Sequence, residues 1–168
     1  INALLEIAKA ESGSSLKTSM VRLDELIFDI ADELKIIEPD FLFSIEYEAA
    51  YDEPELLVYA NYRLLRAAVL NLMQNCIQYS STKKAAIRLK SEARLLQVVF
   101  ENEGAGLTEE EQQLLFQHFF RGTNSAAIRG FGLGLVFVHR MLTLHGGTIT
   151  YKKLPPDLNQ FTISLPLS

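Results

Sequence analysis

One stretch constrains the fold more than any other. Leu64, Leu65, Ala68, Val69, Leu72, Met73, Cys76 and Ile77 recur at intervals of one, three and four residues, the stripe of a long helix buried along one side. Asn61 stands where an N-cap belongs. Such a helix needs a broad apolar surface to lie on, and the neighbouring segments read as strands. Residues 41–47 alternate as FLFSIEY, and 20–23, 56–60, 85–90 and 95–101 have strand character, with 91–94 as a hairpin turn. Residues 148–152 and 161–165 form a closing strand pair. Three further helices are expected: one capped by Asp24, one opened by Thr108 with Glu110 and Glu111 and ending near Phe119 and Phe120, and one over 133–144 stopped by Gly146 and Gly147. The order predicts one layer of helices over one mixed sheet.

Ile1, Leu4, Leu5 and Ala8 also recur at helical spacing before Gly13, Ser14 and Ser15 break the pattern. Two readings fit: the end of a helix that once had a partner, or a terminal helix packed on its own domain. The absence of a methionine at position 1 suggests a piece of something longer.

The chain has 168 residues, 48% hydrophobic and 22% charged, enough for one domain with a real core and not a disordered composition. A net charge of -5 argues against general binding to nucleic acid or anionic membranes. The single cysteine, Cys76, cannot form an internal disulfide, which makes a reducing compartment the default. No apolar run approaches the roughly 18 residues of a membrane span.

Two features carry chemistry. Gly130, Gly132 and Gly134 open a helix that continues through Leu135, and Gly104 and Gly106 follow the strand VVFEN. Glycine admits close backbone approach, and the N–H groups of a helix N-terminus favour an anion such as a polyphosphate. A helix-capping turn is the competing reading. The spacing excludes the G-x-G-x-x-G dinucleotide fingerprint, and the absence of G-K-[ST] excludes a P-loop. Second, Asn71 and Asn75 lie four apart and share one helix face. An amide oxygen can ligate Mg²⁺, which leans on phosphate oxygens and keeps most of its waters; a solvated polar stripe is the alternative.

Taken in order, these pieces resemble the four boxes of sensor histidine kinases. Asn71-Leu-Met-Gln-Asn75-Cys-Ile-Gln78-Tyr79-Ser80 resembles the N box, Asn102-Glu-Gly104-Ala-Gly106-Leu the G1 box, and Leu115-Phe116-Gln-His118-Phe119-Phe120-Arg121-Gly122 the F box. Gly130-Phe-Gly132-Leu-Gly134-Leu135, continuing to Gly147, resembles the G2 box and its helix, and Phe161-Thr-Ile-Ser-Leu-Pro166 the last strand. Four boxes in sequence are specific where one would be weak. The resemblance implies an α+β fold, the two-layer GHKL sandwich, its mixed sheet covered on one face by about three helices. It divides the chain into 1–16, the end of the second dimerisation helix with its linker, and 17–168, an ATP-binding catalytic domain.

The implied ligands are ATP and Mg²⁺, with Asn75 on the metal and Asn71 beside the phosphates. Tyr79 would pack on base or ribose, and Gly104 and Gly106 would let the backbone close over the base. Arg121 and Arg129 would flank a lid and reach the γ-phosphate, with Gly130, Gly132, Gly134 and Leu135 completing the phosphate site. The implied activity is transfer of the γ-phosphoryl group to a histidine on a dimerisation domain, then on to a response regulator, in a homodimer whose parent is anchored in a bacterial inner membrane and keeps this domain in the cytoplasm. His118, His139 and His145 all fall inside the boxes and lack the phosphoacceptor's context, so the acceptor histidine is absent here. No role in nucleic-acid binding is expected.

Two departures stand out. Asn102 replaces an aspartate common in the G1 box, and Gln78 replaces a frequent basic residue. The first predicts weaker rejection of guanine, and the second weak, strongly Mg²⁺-dependent binding. Asn71 stands where ATPases of the same fold place a glutamate that activates water, and an amide cannot take up that proton. This favours transfer to a protein acceptor over hydrolysis. The competing readings are a degenerate nucleotide-binding signalling module and a protein serine kinase of the same fold.

Overall fold

The computed structural model describes the backbone of residues 2–48, 56–121 and 132–168, and the side chains of 5–48, 56–115 and 134–168. The elements run α1 (Asn2–Glu11), β1 (Ser19–Arg22), α2 (Leu23–Ile37), β2 (Leu42–Glu48), β3 (Leu57–Ala60), α3 (Tyr62–Tyr79), β4 (Lys84–Glu92), β5 (Leu95–Glu103), α4 (Glu109–Arg121), α5 (Gly132–Leu144), β6 (Thr148–Leu154) and β7 (Leu158–Pro166). Five strands form one sheet in the order β2-β4-β5-β7-β6. β2 and β4 are parallel and the other pairs antiparallel, so the sheet is mixed. A parallel pair needs a crossover, and α3 lies within it.

Alternation along the strands decides which face is covered. Ile87 and Leu89 on β4, Leu96, Val98 and Phe100 on β5, and Ile163 and Leu165 on β7 are buried on one side. α3 and α5 lie on that side, and α2 packs beside α3. The α3 stripe is buried from Leu64 to Cys76, as its spacing predicts. Each of its leucines contributes about 1.5–3 kcal/mol on burial, which holds the helix to the sheet. Asn61 caps it, its Oδ1 accepting from the Leu64 N–H at 3.0 Å.

Some expectations change. β1 and β3 do not join the main sheet but form their own antiparallel pair, tied to the chain end by the Ser168 N–H donating to the Leu57 carbonyl at 3.1 Å. Asp24 is not the N-cap of α2: the helix starts at Leu23, and Arg22 holds the cap position without a side-chain bond. Asp24 instead sits buried in the first turn, accepting from Arg22 Nε at 3.0 Å and Tyr47 Oη at 3.2 Å. Its carboxylate there also faces the positive end of the helix dipole. Glu111 and Thr108 form a reciprocal capping box at the start of α4, each side chain accepting from the other's N–H at 3.2 Å. The β4–β5 turn narrows to Ala93 and Arg94, both at positive φ, the twist that a tight hairpin favours.

α1 packs on α5 and α3. Among its described side chains Ile7 is fully buried, with Arg140 Nε donating to Glu11 at 3.0 Å and Arg63 paired with Glu6 at 3.0 Å. Leu5 and Ala8, from the stripe read in the sequence, face outward; the side chains of Ile1 and Leu4 lie outside the described residues.

His145 joins the end of α5 to the start of α3. Its Nδ1 donates to the Met141 carbonyl at 2.7 Å while Nε2 accepts from the Asn61 N–H at 3.0 Å, a pair of bonds that only the neutral ring can make. Burial pushes its pKa below the ordinary 6.5, against a smaller upward pull from the Met141 bond; burial lowers His139 as well. The unfolded chain therefore binds more protons than the folded one, and the stability these groups contribute is present above pH 6.5 and lost as pH falls through their folded values. Thermal melts from pH 7.5 to 5 should show a falling Tm, and His145→Gln should flatten that slope; an unchanged slope contradicts the assignment.

Candidate nucleotide-binding site

α3 delivers the polar residues of the site from its exposed edge. Asn71, Asn75 and Tyr79 are half-buried, while Gln78 is exposed. Asn71 donates from Nδ2 to the Ala67 carbonyl, one turn back, at 2.9 Å. Its Oδ1 lies only 2.6 Å from where a β-carbon on Gly134 would stand. The middle of α3 and the first turn of α5 are therefore in contact at this point, and Gly134 is what permits it. The first-turn N–H groups of α5, from Gly132 onward, have no intrahelical acceptor and suit an anion beside Asn71. The Leu135 side chain is wholly buried in the core, which leaves only its backbone on this side of the helix.

The far end of α3 meets the end of β5. A β-carbon on Gly104 would collide with the Tyr79 carbonyl oxygen, and the Ser81 N–H donates to the Glu103 carbonyl at 2.7 Å. Burial raises the Tyr79 pKa, against a downward pull from its hydrogen bond with Gln78. Asn102, the last inward-facing residue of β5, is 6% exposed, and its Nδ2 has no hydrogen-bond partner among the described residues. Asn71 and Asn75 near one end, Tyr79 and Asn102 near the other, and the Gly104–Gly106 loop thus border one side of α3. The Arg121 and His118 side chains, Arg129, Gly130 and the 122–127 segment lie outside the described residues.

Cys76 is packing and not chemistry: burial pushes its thiol up to about 12. Among the described residues no group of three or more histidine, cysteine or acidic side chains could hold a metal. The half-buried Asn75 carboxamide would suit a divalent ion that takes most of its oxygens from a triphosphate and water. A cavity of about 620 Å³ borders the β5 end of the site, lined by Asn102 and Glu103 and reaching round to Ser44, Ala86 and Glu101 on the uncovered face of the sheet.

Comparison with known proteins settles the family. Residues 60–168 match the family model described as histidine kinase-, DNA gyrase B-, and HSP90-like ATPase. The chain belongs to that family. Within it, the chain is similar to the ATP-binding catalytic domains of sensor histidine kinases. It is 30% identical to the sensor protein KdpD of Escherichia coli over 99% of its length, and 29% identical to the sensor histidine kinase YcbM of Bacillus subtilis over 98%. It spans only 18% and 54% of those two proteins. Among solved structures, the catalytic domain of histidine kinase ThkA superposes with a TM-score of 0.71 at 24% identity, covering 90% of this chain and 97% of that one. The Acinetobacter baumannii histidine kinase AdeS superposes with a TM-score of 0.71 at 19% identity, covering 99% and 76%.

Within this ATPase-family domain, a buried polar network that the sequence reading missed fixes the glycine loop. Tyr151 Oη donates to Asn159 Oδ1 at 2.6 Å and accepts from the Leu107 N–H at 3.1 Å. Asn159 Nδ2 donates to the Gly104 carbonyl at 3.3 Å. Gly106, at φ +68, has no room for a side chain, because a β-carbon there would strike Asn159 Oδ1. Burial raises the Tyr151 pKa against the pull of its Leu107 bond, which keeps the hydroxyl protonated. A signal existed in the strand pattern: Asn159 is a polar residue on the same face as Phe161, Ile163 and Leu165, where pleat alternation calls for an apolar one.

Two stability measurements test this geometry. Gly134→Ala should cost about 1–3 kcal/mol by overpacking against Asn71, and adding Asn71→Ala should recover most of the lost Tm; losses that simply add would mean the two do not touch. Tyr151→Phe leaves the Leu107 N–H and Asn159 Oδ1 without that partner, at a cost of about 1–3 kcal/mol. Amide exchange at Gly106 and Leu107 should accelerate with it; unchanged exchange would contradict the clamp.

Proposed function

We propose that this chain holds Mg·ATP and presents the γ-phosphoryl group to a histidine on a dimerisation domain. The observation that carries the reading is the contact of Asn71 on α3 with Gly134 in the first turn of α5, which sets a carboxamide face beside N–H groups that have no intrahelical acceptor. Asn75, one turn along that face, is the Mg²⁺ ligand. Bound magnesium would neutralise charge on the triphosphate oxygens. Asn71 and the α5 backbone orient the phosphates, Tyr79 packs on the nucleoside, and the Gly104–Gly106 loop closes over the base. Gln78 donates a hydrogen bond without adding charge. Arg121 and Arg129 complete the phosphate side from the lid. Catalysis in such a site is positioning and electrostatic stabilisation.

Asn71 has no capacity to deprotonate water, which favours a protein acceptor over hydrolysis. α1 and its linker, 1–16, are the end of the second dimerisation helix, with the catalytic domain over 17–168; the outward-facing Leu5, 54% exposed, suits a helical partner. The partners are this dimerisation domain, in a homodimer, and a response regulator. The parent is a membrane-anchored bacterial sensor with this domain on the cytoplasmic side. No helix among the described residues is long and apolar enough to cross a membrane.

Calorimetry with ATP in the presence of Mg²⁺ should show binding that fails on chelation, and Asn75→Ala should weaken it about tenfold or more, about 1.4 kcal/mol, with Tm unchanged. Adding a separately made dimerisation domain and labelled ATP should label that domain's histidine. Nucleotide binding without any labelling would favour a signalling module that does not transfer phosphate.

A further inference from the structure

We infer that the base end of this site reads the 6-position of a purine permissively, so that 6-amino and 6-oxo purine triphosphates bind with similar affinity. The inference rests on the nucleotide-binding reading above and concerns Asn102. Asn102 and Asn159 are cross-strand partners on β5 and β7, 6% and 3% exposed, both on the side of the sheet that faces the helices. Their two carboxamides are used differently. Asn159 is committed at both ends, its Oδ1 to Tyr151 and its Nδ2 to the Gly104 carbonyl. Neither end is left to fix which way the Asn102 amide faces.

Asn102 Nδ2 is buried without a partner among the described residues, and it lies 3.5 Å from the place a β-carbon on Gly104 would occupy. A buried donor of this kind calls for an acceptor, and beside the glycine loop that acceptor arrives with the ligand. A carboxamide carries one donor end and one acceptor end, and half a turn about its last torsion exchanges them. Toward a 6-aminopurine, Oδ1 accepts from the exocyclic amine and Nδ2 donates to N1. Toward a 6-oxopurine, Nδ2 donates to O6 and Oδ1 accepts from the N1 hydrogen. Each base finds two hydrogen bonds. A carboxylate at the same place accepts only, so it would keep the amine contact and repel O6.

The test is calorimetric titration of this chain with ATP, ITP and GTP in Mg²⁺, ITP being the decisive probe because it differs from ATP only at the 6-position and the N1 hydrogen. ATP and ITP affinities within about fivefold of each other support the inference, and Asn102→Asp should then raise the ATP preference by about tenfold to a hundredfold, the span of one mismatched base contact. ATP binding more than about thirtyfold tighter than ITP overturns the inference and leaves the ATP site intact. Failure of all three nucleotides to bind at millimolar concentration overturns the nucleotide-binding reading with it. The wild-type comparison decides the matter even if Asn102→Asp does not fold.

Discussion

Helix α3 is approached at both ends of its polar edge by backbone too close to carry a side chain. At one end Gly134 admits Asn71 from α3 into the first turn of α5, and at the other Gly104 lies against the Tyr79 carbonyl. These approaches bring the N–H groups of α5 and the turn after β5 against the same helix, with the asparagines between, and on the proposed reading they make one site of separate elements. Side chains much larger than hydrogen at either position would push α3 away from its neighbours, and the site would open even if the core stayed closed.

The core makes that geometry stiff. The α3 stripe is buried against the sheet, and α5 places Leu135, Val138, Met141 and Leu142 in the same interior. Polar groups inside it are tied down by complementary bonds. His145 bridges α5 to the cap of α3, and Tyr151 with Asn159 clamps the loop that follows β5. Against this background Asn102 stands apart, with a buried donor end that no described residue satisfies. On the uncovered face of the sheet the opposite holds, since Arg88 pairs with the buried Glu101 and lies 3.5 Å from Glu48.

Much of this was legible in the sequence, for physical reasons. The α3 stripe and its Asn61 cap follow directly from helical period, and the inward positions of β4, β5 and β7 follow from alternation. The α+β sandwich could be read from the order of elements and from the four boxes. What stayed hidden depends on contacts between distant residues. Nothing local tells Asp24 to leave the cap and bond Arg22 and Tyr47, and nothing local separates β1 and β3 from the main sheet. The Tyr151–Asn159 clamp joins two strands and a loop, so it exists only once the sheet has formed. In α1 the spacing located a helix, but tertiary packing chose Ile7 for the interior and left Leu5 outside.

On the proposed reading, one triphosphate is held where α3, the turn after β5 and the start of α5 converge. The most direct test is to follow backbone amide resonances of the chain as Mg·ATP is added. The largest shifts should fall in 71–79, 102–107 and 132–135. Shifts concentrated at Ser44, Ala86 and Arg88 on the uncovered face of the sheet, with those three segments silent, would contradict it.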